Sequence, residues 1–491
     1  MRRDISLLLV VVFIKQLLWC SFLPLWQTPD EQAHFGEVSL FTQTGGPQKT
    51  GNNLSKEIFT AEKILGTDRD DMGNNKFTYH PDYRSVYTTE NEQTIIAQPL
   101  SNRTDFVKKE STGYPPLYYW LASLVEKLVY FGSLFDRVFV IRTVSSLTLV
   151  ALTFVAYKVG EEVLAKKEQA LFLATAVGFA PMLTFVHAGV TSDALFNLFF
   201  AVFLLACLKQ NWLAMVITFG LSLLTKPQAY IMSLVAIPVV FSSPLLILTG
   251  VLLLIPLLGL IRAGRIVVPE TGGIQLTDIF SGAFVEHLKF TAGHTYREVL
   301  PWYWGVFRWL SLGLPEVLRK ITNWLTLLSF AGLGVSLLKN VNRKLLFLIY
   351  SLGIYFLAIT IFDFGFRQAH GYSFGIQGRY FFPVIVAQMT IFIVGLKPIA
   401  KWLAIGMIIF NMITFFWVIG SYYSLSWPAF FIEASEYKPL WLKFPINLGI
   451  FFVSVLTNSI LVISILIRSG DGKNRARKML HLWATRLPAS S

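Results

Sequence analysis

Directly after the first apolar run stands Thr28-Pro-Asp-Glu-Gln-Ala-His34. Two adjacent carboxylates, Asp30 and Glu31, with His34 close behind, admit three readings. A carboxylate can take a proton from an incoming hydroxyl, given partial desolvation and hydrogen-bonding reach. The two acids and His34 can instead hold a divalent cation. Or Pro29-Asp30-Glu31 simply opens a helix, with the acids favoured at its positive end. The residues alone leave all three open.

Other polar groups converge on the same side of the chain. Tyr114 opens the stretch Tyr114-Pro-Pro-Leu-Tyr-Tyr-Trp120, and Asp193 follows Thr191-Ser in a turn that also suits a helix cap. Lys226 ends an apolar run before Pro227, and Gln377-Gly-Arg-Tyr380 begins another, with Arg367 and His370 shortly before it. Cations such as Lys226, Arg367 and Arg379 at the membrane surface are what an anionic lipid phosphate requires. Charged residues at span ends also serve as snorkelling anchors. His187, at a helix end, reads as structural.

The elements that position these residues follow from composition. Apolar residues make up 54% of the 491 and charged residues 14%, against roughly 25% charged in soluble proteins. The apolar residues come in runs matching the roughly 20 residues that a helix needs to cross the hydrocarbon core. Backbone amides cannot go unpaired in lipid, so the expected class is an all-α polytopic membrane protein. Spans are expected at about 5–25, 138–158, 169–189, 191–208, 211–225, 228–242, 244–262, 321–338, 344–362, 379–396, 401–423 and 446–467, twelve in all.

Charge sets the expected topology. Lys158, Lys166, Lys167, Lys209, Lys339, Arg343, Lys344, Lys397 and Lys401 fall in short connectors, and more bases crowd the tail at 469–491. This is the positive-inside pattern, with both termini cytoplasmic, and it accounts for the net charge of +13 without nucleic acid. In the segment Trp26 to Pro115 acids outnumber bases, which assigns it to the outside. The run from Pro116 to Leu134 is expected to lie along the outer interface, with Tyr118, Tyr119 and Trp120 at headgroup level and Glu126 and Lys127 reaching water. The aromatic stretch Leu300 to Trp309 is expected to lie there too. The organisation is then a transmembrane region at 1–400 (first outer loop 26–137, second outer segment 263–320), C-terminal spans at 401–468, and a basic cytoplasmic tail at 469–491. Arg2 and Arg3 before a long apolar run without a small-x-small cleavage pattern indicate a retained first span rather than a signal peptide. Cys20 and Cys207 lie inside apolar runs and suggest neither a disulfide nor a metal site.

The order of motifs resembles the GT-C superfamily of membrane glycosyltransferases, which includes protein mannosyltransferases and the lipid A aminoarabinose transferase. The residues that carry the resemblance are Asp30-Glu31, Tyr114 to Trp120, Arg142 and Asp193, over about residues 5–400. Pro-Asp-Glu-x-x-His with the later Gln-Gly-Arg-Tyr-Phe-Phe-Pro383 is more similar still to a bacterial membrane branch of unknown function. Tyr114 stands where many such enzymes carry a His. The resemblance implies transfer of a sugar, with inversion, from a polyprenyl-phosphate donor to a hydroxyl of an unidentified glycan, lipid or protein acceptor, on the outer face of the plasma (inner) membrane. Asp30 would be the base, Glu31 its assistant or a metal ligand, and Lys226, Arg367 and Arg379 the phosphate partners. His34, Tyr114, Asp193, His370 and Gln377 complete the expected substrate-binding set. Two other classes compete. An outer-face polysaccharide polymerase or ligase would carry its large outer loop late in the chain. A secondary transporter would carry ionisable residues mid-span, where Lys15 is the main example.

Overall fold

The computed structural model describes residues 2–46, 52–70, 72–84, 87–108, 114–240, 265–266 and 274–468. The described chain is overwhelmingly helical; its strands form three short two-stranded antiparallel pairs. Among the described residues, seven helices are long and apolar enough to cross a membrane: Arg3–Phe22, Leu134–Val163, Glu316–Lys339, Arg343–His370, Gly378–Gly395, Lys397–Ile419 and Ile446–Ile467. Lys167–Gly178 and Pro181–His187 form a pair bent by 59°, which makes eight if counted as one span. The expected spans at 191–208, 211–225 and 228–242 form shorter apolar helices, Ser192–Leu208, Trp212–Leu223 and Pro227–Val240. The expected count of twelve is therefore not established, and the expected span at 244–262 and the tail at 469–491 lie outside the described residues.

The bend is a consequence of Pro181, which cannot donate to the helix before it. The groups it frees find partners far along the chain. Lys15 Nζ, fully buried in the first span, donates to Gly178 O at 2.7 Å, Thr184 Oγ1 at 2.8 Å and Gln16 Oε1 at 3.0 Å. Asn411 Nδ2 donates to Phe179 O at 3.1 Å and Thr184 Oγ1 at 3.0 Å, and its Oδ1 accepts from Trp19 Nε1. The lysine in mid-span is thus occupied in holding a broken helix, and His187, which bonds Thr148 at 2.9 Å and Asn197 at 3.4 Å, likewise packs inside.

Close backbone approaches set two further positions. A Cβ on Gly189 would lie 2.0 Å from Thr28 Oγ1, so only glycine lets the chain leaving the first span settle on this turn. A Cβ on Gly378 would lie 2.1 Å from Tyr303 N, which seats the Gln377–Arg379 segment against residues 302–303.

The chain between the first span and the Leu134–Val163 helix folds onto the helices through a dry ionic cluster. Leu117–Leu128 is a 12-residue helix, too short to cross a bilayer at 1.5 Å per residue. Its Tyr118, Tyr119 and Glu126 face inward while Trp120, Leu124 and Lys127 face outward. The expectation that Glu126 reaches water is corrected: it is fully buried, 2.8 Å from Arg137, and accepts from Thr42 at 2.6 Å. Arg137 also pairs with Glu57, which pairs with Arg103 at 3.3 Å. A mutual pairing, not solvent, neutralises these charges. The reading of residues 300–309 as one interfacial helix is corrected as well. Only Leu300–Trp304 is helical, and Val306–Phe307 then pairs with Leu312–Gly313 around a turn in which Arg308, Trp309 and Leu310 are all left-handed (φ 53°, 52° and 65°).

Candidate active site

Pro29 and Asp30 precede the helix Glu31–Thr44, and Asp30 occupies its N-cap position without capping it. Its backbone is left-handed, φ 57° and ψ 20°, an uncommon state for a non-glycine residue, and its carboxylate turns away from the helix. Arg69 Nη1 donates to Oδ1 at 2.8 Å and Arg379 Nη2 to Oδ2 at 3.0 Å. Gln377 Oε1 accepts from Arg379 Nε at 2.9 Å and so fixes the guanidinium. Arg69 lies over the Trp309 ring at 5.7 Å, and Trp309 Nε1 donates to Trp26 O at 3.0 Å. The left-handed turn at Arg308, Trp309 and Leu310 thereby supports a cation that the chain after the Glu31–Thr44 helix extends toward Asp30. Burial would raise the Asp30 carboxyl, but Arg379 and Arg69 outweigh it and hold the group well below the usual carboxylate range. The Asp30 side chain keeps 36% of its exposure, enough for a substrate to reach it.

Glu31 goes elsewhere. After the left-handed turn at Asp30, Glu31 is the first residue of the helix and points into the protein. Its oxygens accept from Arg142 Nε at 2.6 Å and Nη2 at 2.5 Å, and from the amides of Trp26 and Val190 at 3.1 Å each. Arg142 also donates to Leu23 O and Pro24 O. This fully buried pair ties the end of the first span to the Leu134–Val163 helix. The expectation that Glu31 assists catalysis or binds metal is corrected accordingly.

His34 lies between two rings, stacked on Tyr114 (centroids 5.8 Å apart) and Tyr119 (5.9 Å). Its Nδ1 meets Tyr119 Oη at 2.9 Å and its Nε2 meets Thr191 Oγ1 at 3.4 Å. Burial first, then Lys226, lower its pKa to about 3, so it is neutral at physiological pH. Lys226 forms an ion pair with Asp193 and lies 4.3 Å from the centre of the Tyr114 ring. Leu117 N donates to Leu224 O at 2.8 Å, which joins the Tyr114 segment to the Lys226 turn. Thr191 caps Ser192–Leu208 by accepting from Asp193 N, leaving the Asp193 carboxylate for Lys226.

Asp30, His34, Tyr114, Asp193, Lys226, Gln377 and Arg379 thus form one connected group. Arg367 and His370 do not join it: Arg367 lies over Phe290 at 5.0 Å and His370 packs on Phe366 at 4.3 Å. They belong to a separate cluster in which His287 stands 3.4 Å from Asp363. The set Asp30, Glu31 and His34 does not suit a divalent cation, because the three side chains diverge toward arginines, Arg142 and Tyr119. Among the described residues no group of three His, Cys, Asp or Glu side chains is arranged to hold a metal. Sequence reasoning missed Arg69, the contacts of Tyr119 and Thr191 with His34, and the role of Trp309. Arg69 sits in a run of mixed charge, and nothing local distinguishes it.

A family profile described as "Predicted membrane protein (DUF2142)" matches residues 13–387. The chain belongs to this family. A search of the curated proteins finds no match. Among solved structures the DUF2142 chain is similar to ArnT from Cupriavidus metallidurans bound to undecaprenyl phosphate, at 15% identity and a TM-score of 0.43, covering 94% of this chain and 73% of that one. It is also similar to the archaeal oligosaccharyltransferase AglB from Archaeoglobus fulgidus, in complex with an inhibitory peptide and a dolichol-phosphate. There the identity is 13% and the TM-score 0.41, over 94% of this chain and 55% of that one. Both neighbours are GT-C glycosyltransferases. The likeness is loose at these TM-scores, and it is the site's own residues that support a function.

Proposed function

We propose that this DUF2142 protein is a polyprenyl-phosphate-sugar-dependent glycosyltransferase. It transfers the sugar, with inversion, to an acceptor hydroxyl on the outer face of the plasma (inner) membrane. The observation that carries the reading is Asp30, a partly exposed carboxylate on a left-handed turn, held between Arg69 and Arg379. Such an arrangement combines a proton acceptor with the cations that a phosphate leaving group needs.

In the step proposed, the acceptor oxygen attacks the anomeric carbon while its proton passes to Asp30. The bond from that carbon to the phosphate oxygen breaks, and its electron pair leaves with the lipid phosphate. Arg379, oriented by Gln377, and Lys226, oriented by Asp193, offset the charge that develops there. Asp30 is a weak base while both arginines bind it. A phosphate that engages Arg379 competes for the guanidinium, so donor binding raises the proton affinity of Asp30. Neutral His34 holds Tyr119 and Thr191 beside the same group and carries no charge that would oppose the cations.

The outer-face assignment rests on the basic connectors, which charge patterning assigns to the cytoplasm. Against the transporter reading, Lys15 in mid-span is fully engaged at the bent helix pair.

The test uses purified protein in lipid nanodiscs with a panel of undecaprenyl-phosphate-linked hexoses and envelope glycans as acceptor. Asp30→Asn is expected to abolish transfer and to leave thermal unfolding and undecaprenyl phosphate binding in place. Full transfer by that variant would remove Asp30 from the base role. Unchanged lipid-phosphate binding in Arg379→Ala would remove the phosphate assignment.

A further inference from the structure

The residue after Arg69 begins a second polar feature that the proposed chemistry does not use. Asp70 and residues 74–83 border an open cleft of about 820 Å³, lined among others by Asp70, Asn74, Asn75, Lys76, Tyr79 and Asp82. The loop is internally fixed. Asp70 Oδ1 accepts from the amides of Met72 and Asn74, and Asp70 N donates to Asn74 O at 2.8 Å. Beneath it, buried Phe77 meets Tyr83 edge-on at 4.8 Å, and Arg308 donates to Pro81 O and Tyr83 O.

Two observations point to a ligand. Asn75 is nine-tenths buried, and its Oδ1 is committed to Phe77 N at 2.9 Å and Thr78 Oγ1 at 3.4 Å, which fixes the amide. Its Nδ2, a buried donor, has no partner among the described residues. A buried donor left unpaired is costly and calls for an acceptor. Tyr79 is left-handed, φ 58°, yet 62% exposed. Strain at a non-glycine residue that displays an aromatic ring is a mark of a binding surface rather than of packing.

The chemistry of the lining selects the ligand. Asp70 and Asp82 stand with Lys76 and two amides, so the cleft is dense in both donors and acceptors and does not favour an anion. The cations that suit a phosphate lie around Asp30 instead. An open ring beside amides and carboxylates suits a sugar, whose C–H face stacks on the aromatic while its hydroxyls take the polar groups. The cleft also touches the site. Tyr79 N donates to Trp309 O at 3.4 Å, Trp309 lies against Arg69, and Arg69 bonds Asp30.

We propose that this cleft is the acceptor subsite and that it takes the uncharged end of a glycan. The proposal rests on the transferase reading above and adds the acceptor class to it.

Full-length protein in nanodiscs, titrated with neutral trisaccharides of glucose, mannose and N-acetylglucosamine and with a Ser/Thr-rich peptide, tests this by saturation-transfer NMR. At least one trisaccharide is expected to bind saturably. Tyr79→Gly, which keeps the left-handed turn without strain, is expected to unfold at the wild-type temperature or above and to weaken that binding about tenfold. Tyr79→Phe is expected to retain it. Binding of the peptide alone, binding of no trisaccharide, or unchanged binding in Tyr79→Gly overturns the proposal. Undecaprenyl phosphate is titrated in parallel. Lipid-phosphate binding without trisaccharide binding defeats only the acceptor subsite. Trisaccharide binding without lipid-phosphate binding or transfer leaves a glycan cleft and defeats the transferase.

Discussion

Asp30 and Glu31 are neighbours in sequence, and each meets arginine, yet the two ionic clusters differ in kind. Glu31 and Arg142 are both fully buried, with their polar atoms engaged by each other, by two backbone amides and by two carbonyls. Asp30 keeps 36% exposure, and its partners Arg69 and Arg379 keep 13% and 10%. A closed pair stabilises one conformation and leaves no room for exchange of partners. An open one can exchange a partner for a substrate at little cost. The left-handed turn at Asp30 produces the division, because it directs one carboxylate outward just where the helix begins and sends the next one in.

The largest expected effect separates the two acids by function. Asp30→Asn should lower transfer by about 10²–10⁴-fold with little change in thermal unfolding. The same change in both measurements would erase the distinction. On the closed side, Arg142→Ala leaves Glu31 as an uncompensated buried charge and should cost about 3–5 kcal/mol of stability, measured by thermal unfolding in detergent. A mild loss there would mean that water enters the pair.

A third experiment sharpens the open side. Arg69 and Arg379 together hold the Asp30 carboxyl low, so Arg69→Ala should raise its pKa and move the acid limb of the pH–rate profile to higher pH. An unmoved limb would mean that Arg379 alone sets the acidity. A fourth concerns His34. In the fold it binds a proton only near pH 3, against about 6.5 for an unperturbed histidine. The unfolded chain therefore takes up more protons across that window, and stability falls as pH drops from about 6.5 toward 3. His34→Gln should flatten that part of the stability–pH curve, and an unchanged slope would remove His34 from the buried set. The smallest effect is expected at Arg367→Ala, which should alter lipid-phosphate binding and transfer by no more than about twofold. A large loss would draw the His287–Asp363 cluster into the site.

What the sequence made legible was whatever apolar runs and local order encode. The all-helical membrane class follows from the runs, and the candidate acids follow from their position after the first one. Contacts across distance were not legible. Asp30 meets Arg379 across 349 residues and Arg69 across 39, and no local pattern distinguishes Arg69 from neighbouring charges. Arg367 and Arg379 looked equivalent as cations of one short outer segment. Gly378 separates them, because its missing side chain lets Arg379 approach while Arg367 stays on its own helix against Phe290. The placement of the run from Pro116 to Leu134 along the interface predicts a polar face at Glu126. It does not indicate whether that face meets water or, as here, Arg137.

The bent pair Lys167–Gly178 and Pro181–His187 bears on biogenesis. Its freed carbonyls are met by Lys15, made early, and by Asn411, made late. A nascent chain that has inserted the bend therefore holds an incomplete hydrogen-bond set within the bilayer until the Ala400–Ile419 helix arrives. The site sits just beyond that bend, on the Thr28–Gly189 contact. The hydrogen-bond set beneath the site is thus completed late in synthesis, once the Ala400–Ile419 helix has been made.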